Sequence, residues 1–199
     1  FIANQQKNND ESRITVISFS SDTKELIKNK PIKEVKEISQ DEYIPSGSTS
    51  LNDCICTIIY NRLSSNKVND VILLIITDGY ENSSKHYNRK QTKKYLELVQ
   101  TKYNWQVLFI GANINSFEEG STLSINSDKC AQFDQNCPGN LLSLMRTASD
   151  QITDYKKDQW IKGIKVPTFE EIMLKRGDDS KTFFPRSLIV EALNQLQNR

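Results

Sequence analysis

The sequence predicts an α/β fold: a three-layer, doubly wound, mostly parallel sheet with helices on both faces. Three observations predict it. Apolar segments rich in β-branched residues alternate along the chain with segments of helical periodicity. Residues 71–76 are continuously apolar, which is typical of a parallel strand covered on both faces. Polar loops follow these apolar segments, at the end of the sheet where α/β proteins bind ligands.

Five segments are predicted to be strands. Residues 14–19 are rich in β-branched side chains, and residues 32–38 alternate apolar with charged residues. The charges in 32–38 indicate an edge strand, because charged side chains discourage further pairing. Residues 71–76 and 106–111 are predicted to be buried strands, and residues 130–133 a short last strand.

Helices are predicted between the strands. Apolar residues recur at helical spacing at Leu51, Ile55, Ile58, Ile59 and Leu63. Asn88 and Gln91 have the spacing of a capping box at the start of a second helix. That helix is expected to bury Tyr95, Leu98 and Val99. Residues 141–155 have the pattern of a further amphipathic helix.

The length of 199 residues suits one α/β domain with an appendage. We place the domain at residues 1–160 and a C-terminal helical extension at residues 161–199. Within the extension, Thr168 and Glu171 indicate a capping box, and Pro185 is expected in the first turn of a last helix. The extension is expected to pack on the domain or on a partner.

Composition gives no reason to expect nucleic acid or a membrane as partner. Lys and Arg total 26 and Asp and Glu 25, for a formal net charge of +1. No apolar run approaches the roughly 20 residues that span a bilayer. We therefore expect an intracellular, cytoplasmic protein.

The four cysteines fit that reducing setting. Cys54 and Cys56 form a C-x-C without the spacing of a zinc site, and we interpret them as small apolar residues on a helix. A disulfide between Cys130 and Cys137 stays open on spacing alone.

Two polar loops have residue types suited to a hard cation. Thr49 comes just before a helix, and Asp78 comes just after the most apolar strand. Mg²⁺ prefers oxygen ligands and keeps several waters, so a hydroxyl and a carboxylate suit it. Simpler interpretations stand beside this one: a residue among Ser48–Ser50 could cap the helix, and Asp78 with Gly79 could form an ordinary turn.

Taken together and in this order, the loops resemble those of the von Willebrand factor A (vWA) domain. The resemblance includes Phe19 at the end of a strand, the segment Gly47-Ser-Thr-Ser-Leu51, and Ile76-Thr-Asp-Gly79. Residues 77–84, followed by 108–113, resemble the intracellular, bacterial and viral branch of that family. The resemblance covers roughly residues 1–157.

The resemblance implies a metal-ion-dependent adhesion site. In the family, three loops at one end of the sheet hold a divalent cation, usually Mg²⁺, with Mn²⁺ or Ca²⁺ as alternatives. Thr49 would supply the hydroxyl of the second loop, and Asp78 the carboxylate of the third, often through water. An Asp or Glu of a partner protein would complete the coordination.

The chain departs from the family in its first loop. The motif Asp-x-Ser-x-Ser is absent, and Asp10-Glu-Ser12 does not replace it, because Ile14 stands where the second Ser should be. The chain is expected to begin inside the first helix, at residues 1–7, so that the central first strand is missing. We expect either upstream residues or another chain to supply that strand.

Four further loop residues complete the candidate site: Ser48, Asp53, Gly79 and Glu81. Asp53 is expected to stabilise the first helical turn, with possible help to metal-bound water. Glu81 could accept a hydrogen bond from such water, although we favour a solvated loop residue.

The resulting expectation is a protein-binding module and not an enzyme. A metal-free structural subunit of a larger assembly is the alternative. Catalysis would have to involve His86, the single histidine, which is expected to be solvated, or a pairing of His86 with Cys54 that nothing arranges.

Overall fold

A computed structural model describes residues 1–7, 11–39, 41–43, 47–65, 71–134 and 138–162, with side chains in the last segment for 143–157. All of them lie in one compact unit, Phe1–Val166. Its helices are α1 (Ile2–Gln5), α2 (Leu51–Ser64), α3 (Arg89–Lys102), α4 (Ser116–Thr122) and α5 (Pro138–Lys162). Its strands are β1 (Arg13–Phe19), β2 (Thr23–Pro31), β3 (Ile72–Thr77), β4 (Gln106–Ala112) and β5 (Cys130–Phe133).

The central element is a three-stranded parallel sheet in the order β3-β4-β5. Ile72 pairs with Gln106 and Thr77 with Gly111, so β3 and β4 end together. All residues of β4 after Gln106 are buried. Because successive side chains point to opposite faces, both faces of β4 are covered. The predicted α/β class with a parallel sheet flanked by helices is therefore confirmed.

The helices cover the sheet much as their apolar patterns predict. α3 contacts α2 and β4, whereas α4 and α5 contact β5. The capping box is confirmed, because Asn88 Oδ1 accepts from Gln91 N at 3.0 Å and Gln91 Oε1 accepts from Asn88 N at 2.9 Å. Tyr95 and Val99 are buried as expected, but Leu98 is only half-buried. Leu96, one turn before Gln100, takes the fully buried position instead.

The predicted edge strand at residues 32–38 is wrong. The strand that pairs with β1 is β2, which ends at Pro31, and a 3₁₀ helix, Ile32–Glu34, follows it. The reason is the spacing of the apolar residues. Ile32 and Val35 are three apart and both are buried, which suits a helical turn better than a strand. β2 was missed because most of its residues are polar and exposed.

β1 and β2 form a separate antiparallel hairpin. Among the described residues, no strand connects β1 with β3 by backbone pairing. None of the residues of β1 is fully buried. On β3, Ile76 is 42% exposed although it belongs to the most apolar segment of the chain. Both strands therefore have an incompletely covered apolar surface.

α1 and the residue after it link α5 to the segment that follows the hairpin. The Gln5 side chain is buried and donates to the carbonyl oxygen of Ser149 at 2.8 Å. The neighbouring Gln6 donates to the carbonyl oxygens of Ile32 and Val35 at 3.0 and 2.9 Å. The expectation of a helix within residues 1–7 is therefore confirmed. The two neighbouring glutamines thus connect α5 with the 3₁₀ segment that follows the hairpin.

Only the first part of the predicted C-terminal region lies within the described residues. α5 continues to Lys162, past the predicted boundary at residue 160. The capping box at Thr168 and Glu171 and the helix after Pro185 lie outside the described residues. None of the helices in the described parts of the chain combines the length and the hydropathy needed to cross a bilayer.

Candidate functional site

The loop before α2 lies against the end of β1. Ser50 N donates to the carbonyl oxygen of Ser20 at 2.9 Å, and the hydroxyls of Ser21 and Ser48 are 2.8 Å apart. Gly47 has φ +87°, a backbone conformation that L side chains rarely adopt. A Cβ there would also lie 3.2 Å from Ser21 Oγ. Glycine at this position therefore allows the loop to turn close to the tip of the hairpin.

The loop after β3 meets the same segment at Thr49. Thr49 N donates to Asn82 Oδ1 at 2.8 Å, and the Thr49 carbonyl accepts from Asn82 N at 3.0 Å and Ser83 N at 3.3 Å. A Cβ placed on Gly79 would lie 3.0 Å from Thr49 Oγ1. The structure thus brings Thr49 beside the Asp78–Gly79 turn, at the carboxyl end of β3.

The same loop caps the start of α2. Ser50 occupies the N-cap position, but its side chain makes no capping hydrogen bond. Instead, Asn52 N donates to Glu81 Oε2 at 2.7 Å and Asp53 N donates to Ser84 Oγ at 3.0 Å. The simpler interpretation of Ser48, Thr49 or Ser50 as a side-chain cap is therefore wrong, because a distant loop supplies the acceptors.

Glu81 is the centre of this connection and not a solvated loop residue. Besides Asn52 N, its carboxylate accepts from Ser83 N at 2.9 Å, Ser84 N at 2.8 Å and Ser84 Oγ at 2.7 Å. Burial is the largest influence on its pKa and acts to raise it, but the hydrogen bonds together outweigh burial and lower the pKa below its ordinary value. Glu81 therefore stabilises the loop as an anion.

Asp53 holds the next part of the loop. Its carboxylate accepts from the backbone amides of Lys85 at 2.7 Å, His86 at 3.0 Å and Tyr87 at 2.7 Å. Asp53 does lie in the first turn of α2, as expected. Its oxygens, however, are occupied by three amide donors of the loop. The carboxylates of Asp53 and Glu81 thus both fix the segment between β3 and α3.

Thr77 sets the position of Asp78. Thr77 is buried, and its hydroxyl donates to the carbonyl oxygen of Gly79 at 2.8 Å and accepts from Gly79 N at 3.3 Å. These bonds close a tight turn directly after β3. Asp78, between the two bonded residues, is exposed, and within the described residues its carboxylate makes no hydrogen bond.

A further contact joins this turn to the next loop of the sheet. Asn115 N donates to the Tyr80 hydroxyl at 3.1 Å, and Asn115 is the N-cap of α4. Gly111, near the end of β4, permits the close approach of that loop. A Cβ on Gly111 would lie 2.2 Å from Ser116 Oγ and 2.6 Å from Ile114 Cγ1.

The residues at this end of the sheet offer the oxygen ligands that a hard cation prefers. The Thr49 hydroxyl lies beside Gly79, the residue after the exposed Asp78, and the hydroxyls of Ser21 and Ser48 lie 2.8 Å apart in the same loop cluster. Mg²⁺ takes such oxygen ligands and retains waters for the other positions. In the part of the chain that the structure describes, no group of three His, Cys, Asp or Glu residues has the arrangement of a metal site. Any cation here would depend on hydroxyls and water in addition to the single carboxylate of Asp78.

The other candidate side chains do not gather at the site. His86 is exposed, as expected. Cys54 and Cys56 are buried on α2, and burial raises the pKa of each thiol to about 12. Cys130 is a free, buried thiol, and Cys137 lies outside the described residues. The interpretation of Cys54 and Cys56 as packed apolar residues is therefore confirmed.

Several residues of the site were not assigned a role from the sequence. Asn82 and Ser84 connect the two loops, Ser21 contacts Ser48, and Tyr80 contacts the loop before α4. The run of polar residues directly after β3 was a signal for Asn82 and Ser84. Ser21 could have been found from the hairpin turn Ser20-Ser-Asp22, had β2 been recognised.

No family model, curated protein or solved structure matches the chain. The interpretation of the site therefore depends on its own geometry.

Proposed function

We propose that this chain is a vWA-type domain that binds a protein partner through a divalent cation. One observation carries the proposal: Thr49 Oγ1 lies beside the Asp78–Gly79 turn at the carboxyl end of a parallel sheet. The capping of α2 by Glu81 and Ser84 supports it, because this capping leaves the Thr49 hydroxyl available for another role.

In this proposal Thr49 and Asp78 hold Mg²⁺, with Mn²⁺ or Ca²⁺ as alternatives. The cation supplies a positive charge at an open coordination position, where the Asp or Glu of a partner protein binds in place of water. Ser48 and Gly79 shape the two loops around Thr49. Asp53 and Glu81 act indirectly, because their oxygens hold loop amides in place.

The proposal includes the full three-layer, doubly wound sheet of the family. The family has a central first strand between the two strands that correspond to β1 and β3. In the described residues, each of these two strands has one edge without a backbone partner. A strand between them would also cover the half-exposed apolar residues of β1 and Ile76 of β3.

The cation is tested by thermal unfolding with Mg²⁺ and with EDTA. A ligand present at 100 times its Kd stabilises the folded state by about 2.7 kcal/mol, which raises Tm by about 5–10 °C in a chain of this size. We expect this shift in the native chain and in Asp150→Asn, which removes an exposed carboxylate of α5. Asp78→Asn should lose it. An equal shift in Asp78→Asn would contradict the proposal.

A metal-free structural subunit is the second candidate. The observation that favours it is the way Asp53 and Glu81 hold the loops through backbone amides, so that loop order needs no cation. Under this function the native chain would show equal Tm values in Mg²⁺ and EDTA. An intracellular location, with reduced thiols, stays a prediction under either function.

A further inference from the structure

Basic residues are concentrated in the first half of α3 and the loop before it. From residue 82 to residue 96 the chain has no Asp or Glu, whereas five residues are Lys or Arg. Three of these, Lys90, Lys93 and Lys94, lie in α3 and are exposed. Side chains three and four positions apart on a helix are neighbours, with Cβ atoms about 5–6 Å apart. The three lysines therefore form one charged surface, which we call the basic face.

No carboxylate pairs with the basic face in the described part of the chain. Arg89, directly before it, does form an ion pair, with Glu119 Oε1 at 2.9 Å from its guanidinium. Glu97, one turn after Lys93, accepts from Ser124 Oγ at 2.8 Å instead of pairing with a lysine. The acidic residues of α3 and α4 closest in sequence or contact to the basic face are thus bound elsewhere.

The position of these lysines is unfavourable for the helix itself. α3 begins after its N-cap Asn88, so Lys90 lies in the first turn, where the helix dipole is positive and acidic residues are preferred. That turn has no acidic residue. Lys90 also repels Lys93 and Lys94, because like charges three or four positions apart destabilise a helix. The lysine charges and the helix dipole therefore add at one surface, and a bound anion would relieve both effects.

The other residues of α3 indicate which anion suits the basic face. Every exposed residue of α3 is charged or polar, whereas interfaces between proteins have an apolar or aromatic core with few lysines. No exposed position of α3 has an aromatic ring on which the bases of a single strand would stack. Asn88 and Gln91 bond to each other's backbone amides, so they are not free to read base edges. Lysines without such neighbours suit the phosphates of a duplex, which they bind by charge alone.

We propose that the basic face of α3 binds the phosphate backbone of double-stranded DNA without sequence preference. The duplex carries one negative charge per about 1.7 Å of its axis, so it offers phosphates to all three lysines. The net charge of +1 gives no reason to expect this partner, because it is a sum over the whole chain and hides a local concentration. The inference does not depend on a cation at Thr49 and Asp78, and it adds a second binding surface.

The test is fluorescence anisotropy of a labelled duplex of about 20 base pairs, titrated with the full chain in EDTA. Three phosphate contacts give a slope of about −2.7 for log K against log salt, so Kd should rise about 40-fold between 50 and 200 mM salt. A triple variant that combines Lys90→Gln, Lys93→Gln and Lys94→Gln should raise Kd at 50 mM salt about tenfold or more and flatten the slope.

A second triple variant controls for net charge. It combines Lys24→Gln, Lys28→Gln and Lys30→Gln, three exposed lysines of β2, and should change Kd by less than about threefold. Asp78→Asn should bind the duplex as the native chain does. Circular dichroism and Tm show whether each variant folds. The α3 variant should have a Tm no lower than that of the native chain, because it removes the repulsion among the three lysines.

The outcomes separate this inference from its competitors. Equal Kd values for the native chain and the α3 variant, equal losses in the two triple variants, or no binding of the duplex at 50 mM salt would overturn it. Tighter binding of a single strand, of phosphatidylserine vesicles or of polyglutamate would also overturn it and assign the basic face to that partner class. None of these results affects the Mg²⁺-dependent Tm shift that tests the cation site, so the two proposals fail independently.

Discussion

Replacing Glu81 should destabilise the loop between β3 and α3 and the start of α2 together. Its carboxylate accepts from three backbone amides and one hydroxyl, at 2.7–2.9 Å. A hydrogen bond to a charged group contributes about 1.5–3 kcal/mol when buried. Because Glu81 is only half-buried, water would replace part of the loss. We expect Glu81→Ala to lower the free energy of unfolding by about 2–4 kcal/mol.

Glu81→Gln should cost less, and its cost should depend on pH. If the amide oxygen keeps the bonds from Ser83 N and Ser84 N, its NH₂ group faces Asn52 N, which is also a donor. The lowered pKa of Glu81 gives the sign of the pH effect. Its stabilisation is present above the ordinary pKa of 4.5 and is lost as pH falls through the lower folded-state pKa. The native chain and Glu81→Gln should therefore converge in stability as pH falls below 4.5 and through the lower folded-state pKa of Glu81.

The assay is urea unfolding followed by circular dichroism at pH 7 and at several values down to pH 3. Glu37→Gln is the matched control, because Glu37 is exposed in the segment after the 3₁₀ helix. This control should change stability by less than about 0.5 kcal/mol. A cost for Glu81→Ala no larger than that of the control would refute the role assigned to Glu81.

Three further predictions concern neighbouring parts of the fold. Gly111→Ala should lower stability by about 1–3 kcal/mol, because its Cβ would overlap Ser116 and Ile114; an unchanged urea midpoint would argue against this close approach. Gly79→Ala should displace the Thr49 hydroxyl and weaken any Mg²⁺-dependent Tm shift, with normal Mg²⁺ affinity as the contrary result. Cys54 and Cys56 should react slowly with a thiol reagent at pH 8 in the folded state, and rapid labelling without unfolding would disprove their burial. The free energy of unfolding should also fall as pH rises from 9 towards 12, because the two thiols ionise near pH 9 once unfolding exposes them but only near pH 12 in the folded state.

The parallel sheet could be predicted because its signals are local and strong. A continuous apolar run predicts β3, and β4 has a similar run; both are found within one residue of the predicted bounds. The capping box at Asn88 likewise involves two side chains three residues apart. Such features depend on nearby residues, so a single sequence is enough to show them.

The hairpin and the loop contacts were harder to predict, for different physical reasons. β2 is mostly exposed and polar, so its pairing with β1 leaves little trace in hydrophobic periodicity. The capping of α2 by Glu81 joins residues 29 positions apart, and no spacing rule connects them. The two polar loops were recognised as a pair, whereas the bonds that connect them depend on the folded backbone.

The most direct test of the cation site is Mn²⁺-induced broadening of amide signals in an NMR spectrum of the native chain. The account predicts selective broadening of amides in residues 47–50 and 78–80 at low Mn²⁺ concentration. Signals of Tyr103 to Gln106, at the opposite end of the parallel sheet, should remain sharp, and Asp78→Asn should abolish the broadening. Broadening centred on other residues, or the same pattern in Asp78→Asn, would contradict a cation held by Thr49 and Asp78.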